Sequence, residues 1–438
     1  MGPTISVSPE SPLLDEELTI RGTGFEPGER VRLVAEFEVL WGQFRGEATF
    51  ETDESGHIDL TEQAPVAGDY EGVRPMGLVE FAELVERADD GPGAIADSHR
   101  LTVRAERNGD TVAESFVQRR ALDSQVDTLT VEDEHEEFVG DLYLPSGDGP
   151  HPGVVVLGGS GGGVPAGPRA KLLASQGYAV LALAYFQRAG STDSDRDDEH
   201  LPEELIEVPI EYTQGAIEWF RDHDRVQSVP VGVVGTSRGS ELAYLLGARV
   251  SSVRTVVGYV PSGVLFEGIS FNGNSGPAWV ADGDPIPHVD YRFKRRYYLA
   301  ALWHVLRGKP VPIEITYRGG LADADADTVE AATVPVENIG GPVLSLAGGD
   351  DAMWPSDELG AKAVERLEGQ EYDHFHDHVV YPDAGHSILV PYLPVRGRES
   401  TPVFPRFSFA MGGRPAGYAE ADVDSWQRVL ETLERGLG

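Results

Sequence analysis

One serine in the chain sits where a hydroxyl can become a nucleophile. Gly235-Thr236-Ser237-Arg238-Gly239 follows the apolar run VGVV and precedes SELAYLLGA. Strand, sharp turn and helix in that order hold a serine proud of a sheet edge. A serine at its ordinary pKa is inert, so a base and a group that orients the base must lie elsewhere. Downstream, PVLSL leads into Ala347-Gly348-Gly349-Asp350-Asp351-Ala352-Met353-Trp354, and HVVYP leads into Asp383-Ala384-Gly385-His386. Both turns fall at the carboxyl ends of expected strands, where α/β sheets carry their sites. Ser237, Asp351 and His386 are therefore the expected nucleophile, orienting acid and base. Asp350 is the alternative acid, and the spacing Gly348-x-x-Asp351 favours its neighbour.

An acyl-transfer serine also needs N–H donors for the developing oxyanion. The backbone N–H of Arg238 is one; Gly159, Ser160 or Gly161, in the glycine-rich turn after VVVL, supplies the other. The same turn, LGGSGGGVPAG, approximates a dinucleotide fingerprint, but that reading needs an acid at the end of the next strand. This strand ends in Tyr185-Phe186-Gln187 instead. Asp373-His374-Phe375-His376-Asp377-His378 has metal-like spacing; without a single cysteine in the chain it reads as solvated polar residues. Neither metal nor redox cofactor is expected.

The elements that must position these groups change character near residue 123. Residues 1–122 show short alternating runs at Glu17–Arg21, Arg30–Val39, Glu47–Glu51, His57–Leu60, Arg100–Glu106 and Val112–Gln118, which predict a β-sandwich. A short helix is expected within Met76–Asp90. Residues 123–438 alternate buried apolar strands with helices, the grammar of a mostly parallel sheet covered on both faces. Expected strands include Thr128–Glu132, Glu137–Leu144, Val154–Leu157, Ala179–Ala184, Val231–Val234, Thr255–Val260, Val343–Leu346 and His378–Tyr381. Expected helices include Pro168–Gln176, Glu204–Asp222, Gly239–Ala248, Asp357–Leu367 and a closing helix carrying Val423, Trp426, Leu430, Leu433 and Leu437 on one face. An excursion over about 262–340, with a helix at Tyr297–Leu306, is placed to cover the site like a lid. Ser191–Glu199 reads as a solvated acidic loop.

Composition bounds the rest. Of 438 residues, 40% are hydrophobic and 25% charged, a globular balance for two domains. No apolar run approaches a membrane span, and no leader is visible, which predicts a cytoplasmic protein. Acids number 73 against 35 bases, a net charge of −38. Lysine occurs only at Lys171, Lys294, Lys309 and Lys362; the other bases are arginine. Acid spread along the whole chain predicts adaptation to high salt, where screening shortens electrostatic repulsion to about 3 Å. It argues against a nucleic-acid partner; the oligomeric state stays open. Against that background, Arg292, Lys294, Arg295 and Arg296 form a dense basic cluster suited to phosphate.

Beyond these motifs the chain resembles the acyl-CoA thioesterase / bile acid-CoA:amino acid N-acyltransferase family. The resemblance rests on Asp69-Tyr70-Glu71-Gly72-Val73-Arg74-Pro75-Met76-Gly77-Leu78, on Leu172–Tyr185 (LLASQGYAVLALAY), and on Val334-Pro335-Val336-Glu337-Asn338-Ile339. It rests also on Gly349-Asp350-Asp351-Ala352-Met353-Trp354-Pro355-Ser356 and Tyr381-Pro382-Asp383-Ala384-Gly385-His386. It implies an immunoglobulin-like sandwich followed by an α/β-hydrolase domain, with nucleophile Ser237, acid Asp351 and base His386. The implied activity is hydrolysis of acyl-CoA thioesters, with Arg292, Lys294, Arg295 and Arg296 read as contacts for the CoA phosphates. The amino-acid-conjugating branch usually has cysteine as nucleophile; serine here resembles the hydrolytic branch. A carboxylesterase or dienelactone-type hydrolase would use the same three residues, as would an acyl-CoA:amino acid N-acyltransferase. A binding protein with an inert hydrolase domain would not need them.

Overall fold

A computed structural model of the protein describes residues 2–39, 42–87, 95–165, 167–188, 198–270, 272–291, 295–404 and 407–438, without the side chains of Arg295, Arg296 and Phe404. Two compact units emerge. The first is Met1–Ser124 with Ala166–Leu172 and Leu389–Arg398; the second is Gln125–Pro165 with Leu173–Ile388 and Glu399–Gly438. Most of the acidic stretch Ser191–Glu199 lies outside the described residues.

The first unit is built from two antiparallel sheets. Thr4–Ser8, Thr19–Thr23 and Ile58–Asp59 form one; Ala67–Gly68, Gly42–Glu51, Arg30–Val39, Ser98–Arg107 and Asp110–Arg120 form the other in that spatial order, with Glu83–Arg87 also on Gly42–Glu51. Alternation explains the layering: along Arg30–Val39, Val31, Leu33, Ala35 and Phe37 are buried while Arg32, Glu36 and Glu38 point away. The outward charges pair across strands, as in Arg32 with Glu106 at 3.2 Å and Arg45 with Glu36 at 3.2 Å. The helix expected within Met76–Asp90 is only Gly77–Glu80, and Glu83–Arg87 is a strand. Its partner decides this: Gly42 faces Glu86 so closely that a Cβ there would lie 2.1 Å from the Glu86 carbonyl oxygen. Ladder hydrogen bonds outweigh a weak local helix preference.

The second unit carries an eight-stranded sheet. Its strands are β1 (Asp127–Thr130), β2 (Gly140–Leu144), β3 (His151–Leu157), β4 (Ala179–Leu183), β5 (Val226–Thr236), β6 (Val253–Tyr259), β7 (Val343–Gly348) and β8 (His376–Tyr381). Their order is β1-β2-β4-β3-β5-β6-β7-β8, with β2 antiparallel to both neighbours and every pairing from β4 to β8 parallel. This is the α/β-hydrolase arrangement. The sheet interior is continuous valine, leucine and alanine, as two-sided burial requires. Helices α1 (Ile210–Arg221), α2 (Arg238–Arg249), α3 (Arg295–Leu306), α4 (Glu314–Asp323), α5 (Ala326–Ala332), α6 (Ser356–Glu368) and α7 (Pro415–Leu437) complete it. On α7 the buried face runs through Trp426, Val429, Leu433 and Leu437, with Val423 and Leu430 at its margins. That helix lies against β5: a Cβ on Gly232 would meet Leu433 at 3.0 Å and Leu437 at 3.1 Å.

Two expectations shift here. The helix expected at Glu204–Asp222 begins at Ile210, because Val208–Pro209 pairs with Trp279–Val280 as a strand. β1 stops at Thr130 and a single helical turn, Val131–Glu134, follows. The excursion between β6 and β7 is more structured than one helix: besides α3 it holds α4 and α5, which contribute Tyr317 and Ala332 to a small core with Val264, Phe266 and Val289. No helix among the described residues is long and apolar enough to cross a membrane.

A surface at −38 loosens when its charges are unscreened. Thermal melts followed by circular dichroism are expected to shift upward between low and molar salt. A melting temperature indifferent to salt would contradict the salt-adapted reading of the acid excess.

Candidate active site

β3 and β5 are the strands on which the sheet order reverses, and the crevice beyond their carboxyl ends is the place where such sheets hold ligands. Ser237 follows β5 there, at φ 55° and ψ −122°, a left-handed conformation that costs a non-glycine residue about 1–3 kcal/mol. The flanking glycines explain how the turn closes. A Cβ on Gly235 would sit 2.2 Å from the Gly239 carbonyl oxygen, and one on Gly239 would sit 2.1 Å from that of Gly158. The serine N–H donates to Tyr259 O at 2.9 Å, pinning the turn to β6.

His386 Nε2 lies 2.9 Å from Ser237 Oγ, and His386 Nδ1 lies 2.8 Å from Asp351 Oδ2. A carboxylate accepts only, so Nδ1 carries the proton and Nε2 is free to accept from the serine. Asp351 is itself held: its Oδ1 accepts from the Met353 N–H at 2.9 Å and the Trp354 N–H at 3.3 Å, and its side chain is wholly buried. The neighbouring Asp350 turns away and accepts from the Gly413 N–H at 3.1 Å. The two alternatives for the acid are thus in different places, with only Asp351 on the histidine.

Gly159 approaches the same point from β3; a Cβ there would lie 3.2 Å from Ser237 Cβ. Ser160 lines the cavity beside the serine. Among the described residues, the N–H groups of Gly159, Ser160 and Arg238 donate to no backbone carbonyl. Arg238 opens α2, where the first N–H groups of a helix lack intrahelical partners.

The Arg238 side chain has a function that the motif does not announce. Its guanidinium is buried and donates to Phe266 O at 3.0 Å, Glu267 O at 3.1 Å and Tyr291 Oη at 3.2 Å, while Glu241 Oε2 lies 3.2 Å away. Trp279 Nε1 donates to the same carboxylate at 3.0 Å. Burial pushes the Glu241 carboxyl up to about 7, against the pull of Arg238. The helix that follows Ser237 thereby ties down the excursion at residues 266, 267 and 291.

Above Ser237 this creates a cavity of about 210 Å³ whose wall includes Ile269, Tyr291, Ile313, Tyr317, Trp354 and Phe409. Its lining is aromatic and largely apolar and includes Ser237 and His386. None of these wall residues was singled out from sequence, since they converge from separate elements. The signal available was Glu241 three residues after Arg238, a spacing that puts both on one helix face.

Other expected sites fare differently. Arg292 and Lys294 lie outside the described residues, and Arg295 and Arg296 are described only as the start of α3. In the histidine run, His378 Nε2 donates to Asp357 O at 3.0 Å and Nδ1 accepts from Ser345 Oγ at 2.8 Å. No group of metal-competent side chains occurs among the described residues.

Comparison with known proteins bears on the whole length. Residues 208–438 match the family model described as the C-terminal part of BAAT / acyl-CoA thioester hydrolase, and residues 15–133 match the acyl-CoA thioester hydrolase/BAAT N-terminal region. A peroxisomal succinyl-coenzyme A thioesterase of Mus musculus is 27% identical, covering 100% of this chain and 98% of its own. Acyl-coenzyme A thioesterase 5 of Mus musculus is 28% identical, covering 100% and 97%. Acyl-coenzyme A amino acid N-acyltransferase 1 of Mus musculus is also 28% identical, covering 98% and 97%. Among solved structures, a dienelactone hydrolase from Anabaena variabilis is 18% identical with a TM-score of 0.32, over 60% of this chain and 89% of that one. With its two matched regions in their expected order, the chain belongs to the acyl-CoA thioester hydrolase / bile acid-CoA:amino acid N-acyltransferase family.

Proposed function

We propose that the chain is an acyl-CoA thioesterase that works through an acyl-enzyme on Ser237. The observation that carries this reading is the relay Ser237 Oγ, His386, Asp351, with contacts of 2.9 and 2.8 Å. Ser237 Oγ attacks the thioester carbonyl as its proton passes to His386 Nε2. The N–H groups of Arg238 and of Gly159 or Ser160 receive the oxyanion, each such donor worth about 3 kcal/mol in the transition state. Collapse of the intermediate expels the CoA thiolate, which takes the proton from His386. Water then enters and attacks the acyl-serine as it gives a proton to His386; the second tetrahedral intermediate collapses to the free acid as Ser237 Oγ leaves and takes that proton back from His386 Nε2. Asp351, on Nδ1, orients the imidazole and stabilises the imidazolium.

The same reading gives the acyl group to the aromatic cavity and the CoA phosphates to Arg292, Lys294, Arg295 and Arg296. It also takes residues 1–122 as an immunoglobulin-like sandwich, residues 123–438 as the catalytic domain, and a salt-rich cytoplasm as its setting. A panel of acyl-CoA esters beside nitrophenyl esters, assayed at high salt, tests it. Acyl-CoA is expected to be the better substrate. Replacing Arg295 and Arg296 with alanine is expected to raise KM for acyl-CoA several-fold and leave a small uncharged ester nearly unchanged. Equal losses on both substrates would point instead to a collapsed wall, and no loss on either would remove the phosphate contact from the proposal.

A further inference from the structure

Helix α3 has two faces that differ in kind. Tyr297 is buried and lines the cavity above Ser237. The opposite side is apolar and open: Leu299 is 57% exposed, Leu302 53%, Trp303 45% and Leu306 78%, with Tyr298 and Val305 beside them. Spacing by three and four residues places Leu299, Leu302, Trp303 and Leu306 along one stripe. The other large exposed apolar side chains among the described residues, Val66, Val73, Val85, Phe116, Val229 and Val380, are scattered through distant parts of the sequence. Contiguous apolar exposure of this kind marks an interaction surface.

Charge around the stripe is as unusual as its hydrophobicity. From Tyr291 to Ile313 there is no aspartate or glutamate, in a chain that has 73. Arg307 and Lys309 follow the helix directly and are exposed. Both stand over the Trp303 ring, the Arg307 guanidinium carbon at 4.1 Å and the Lys309 ammonium at 5.8 Å from its centre. Cations gathered at the margin of an apolar helix face, with a tryptophan between them, are the pattern of a helix that lies in the plane of a lipid surface. A second copy of the chain fits less well. An isologous contact through the stripe would join α3 to α3 and bring the Arg307 and Lys309 of both copies to one interface.

We propose that α3 is an interfacial docking helix that seats the second unit on an anionic lipid surface. Its apolar stripe enters the boundary between headgroups and acyl chains, and Arg307 and Lys309 meet lipid phosphates. Tyr297, on the other side of the same helix, keeps its place in the lining of the Ser237 cavity. Net charge of −38 repels such a surface at long range; in molar salt that repulsion is screened and contacts decide.

Co-sedimentation in molar salt with vesicles of phosphatidylglycerol and phosphatidylcholine in equal parts, against pure phosphatidylcholine, tests this. The protein is expected to bind the mixed vesicles more tightly. Replacing Leu302 and Leu306 together with glutamate is expected to weaken binding at least about tenfold while turnover of a small soluble ester is unchanged. In the unsubstituted protein, fluorescence that Trp303→Phe removes is expected to be quenched by bromine-labelled lipid. No binding to either vesicle, equal binding of the variant, or unquenched Trp303 would overturn the proposal. So would a dimer in sedimentation velocity that the Leu302, Leu306 double substitution converts to monomer, which would assign the stripe to a second copy.

Discussion

Ser237→Ala is expected to fold and melt like the unsubstituted protein and to lose roughly four to six orders of magnitude in kcat on acyl-CoA. Alanine keeps the backbone of the turn, where the tight contacts are those of Gly235 and Gly239. What disappears is the oxygen 2.9 Å from His386 Nε2. His386→Ala should cost nearly as much, and the double variant little more than either, because a nucleophile without its base is no better than none. Separate, multiplying losses would mean that the two residues act in different steps. Steady-state kinetics with release of free thiol as the readout decides between these outcomes.

Asp351→Asn is expected to lower kcat by roughly 10⁴, whereas Asp350→Asn stays within about threefold of the parent. The difference follows from which atoms are already spoken for. Asp351 Oδ1 accepts two backbone N–H groups, so an asparagine would keep its carbonyl oxygen there and turn its amide toward His386 Nδ1. A donor facing Nδ1 forces the imidazole proton onto Nε2, the nitrogen that must receive the serine proton. Asp350 only accepts from Gly413 N–H, away from the histidine. Matched losses in the two variants would mean that this carboxylate pair acts through the loop fold and not through the tautomer.

How much of this was readable in advance depends on the range of the forces involved. The elbow at Ser237 was legible because its demands are local: two glycines for two close carbonyls, a strand before, a helix after. The spacing Gly348-x-x-Asp351 favoured Asp351 over Asp350, but spacing carries no sign of the N–H groups of Met353 and Trp354 that hold its Oδ1. The inner sheet strands were legible as continuous apolar runs. Failures came where a distant partner outweighed local preference, as in Glu83–Arg87, drawn into a strand by Gly42–Arg45, and Val208–Pro209, held by Trp279–Val280. The cavity wall was illegible for the same reason. Tyr291, Ile313, Tyr317 and Phe409 come together only after the excursion folds, and the anchor that holds it, the buried Arg238 side chain, looks in sequence like any residue between a serine and a glycine.

The central claim is a covalent acyl-enzyme on Ser237, and mass spectrometry of the intact protein tests it most directly. The protein would be mixed with acyl-CoA at high salt, quenched in acid within the first turnovers, and its mass compared with that of Ser237→Ala treated alike. The account predicts an increment equal to the free acid less one water, located on the peptide that contains Ser237, present in the parent and absent from Ser237→Ala. Rapid turnover of acyl-CoA with an acyl group carried on any other residue, or undiminished turnover by Ser237→Ala, would contradict it.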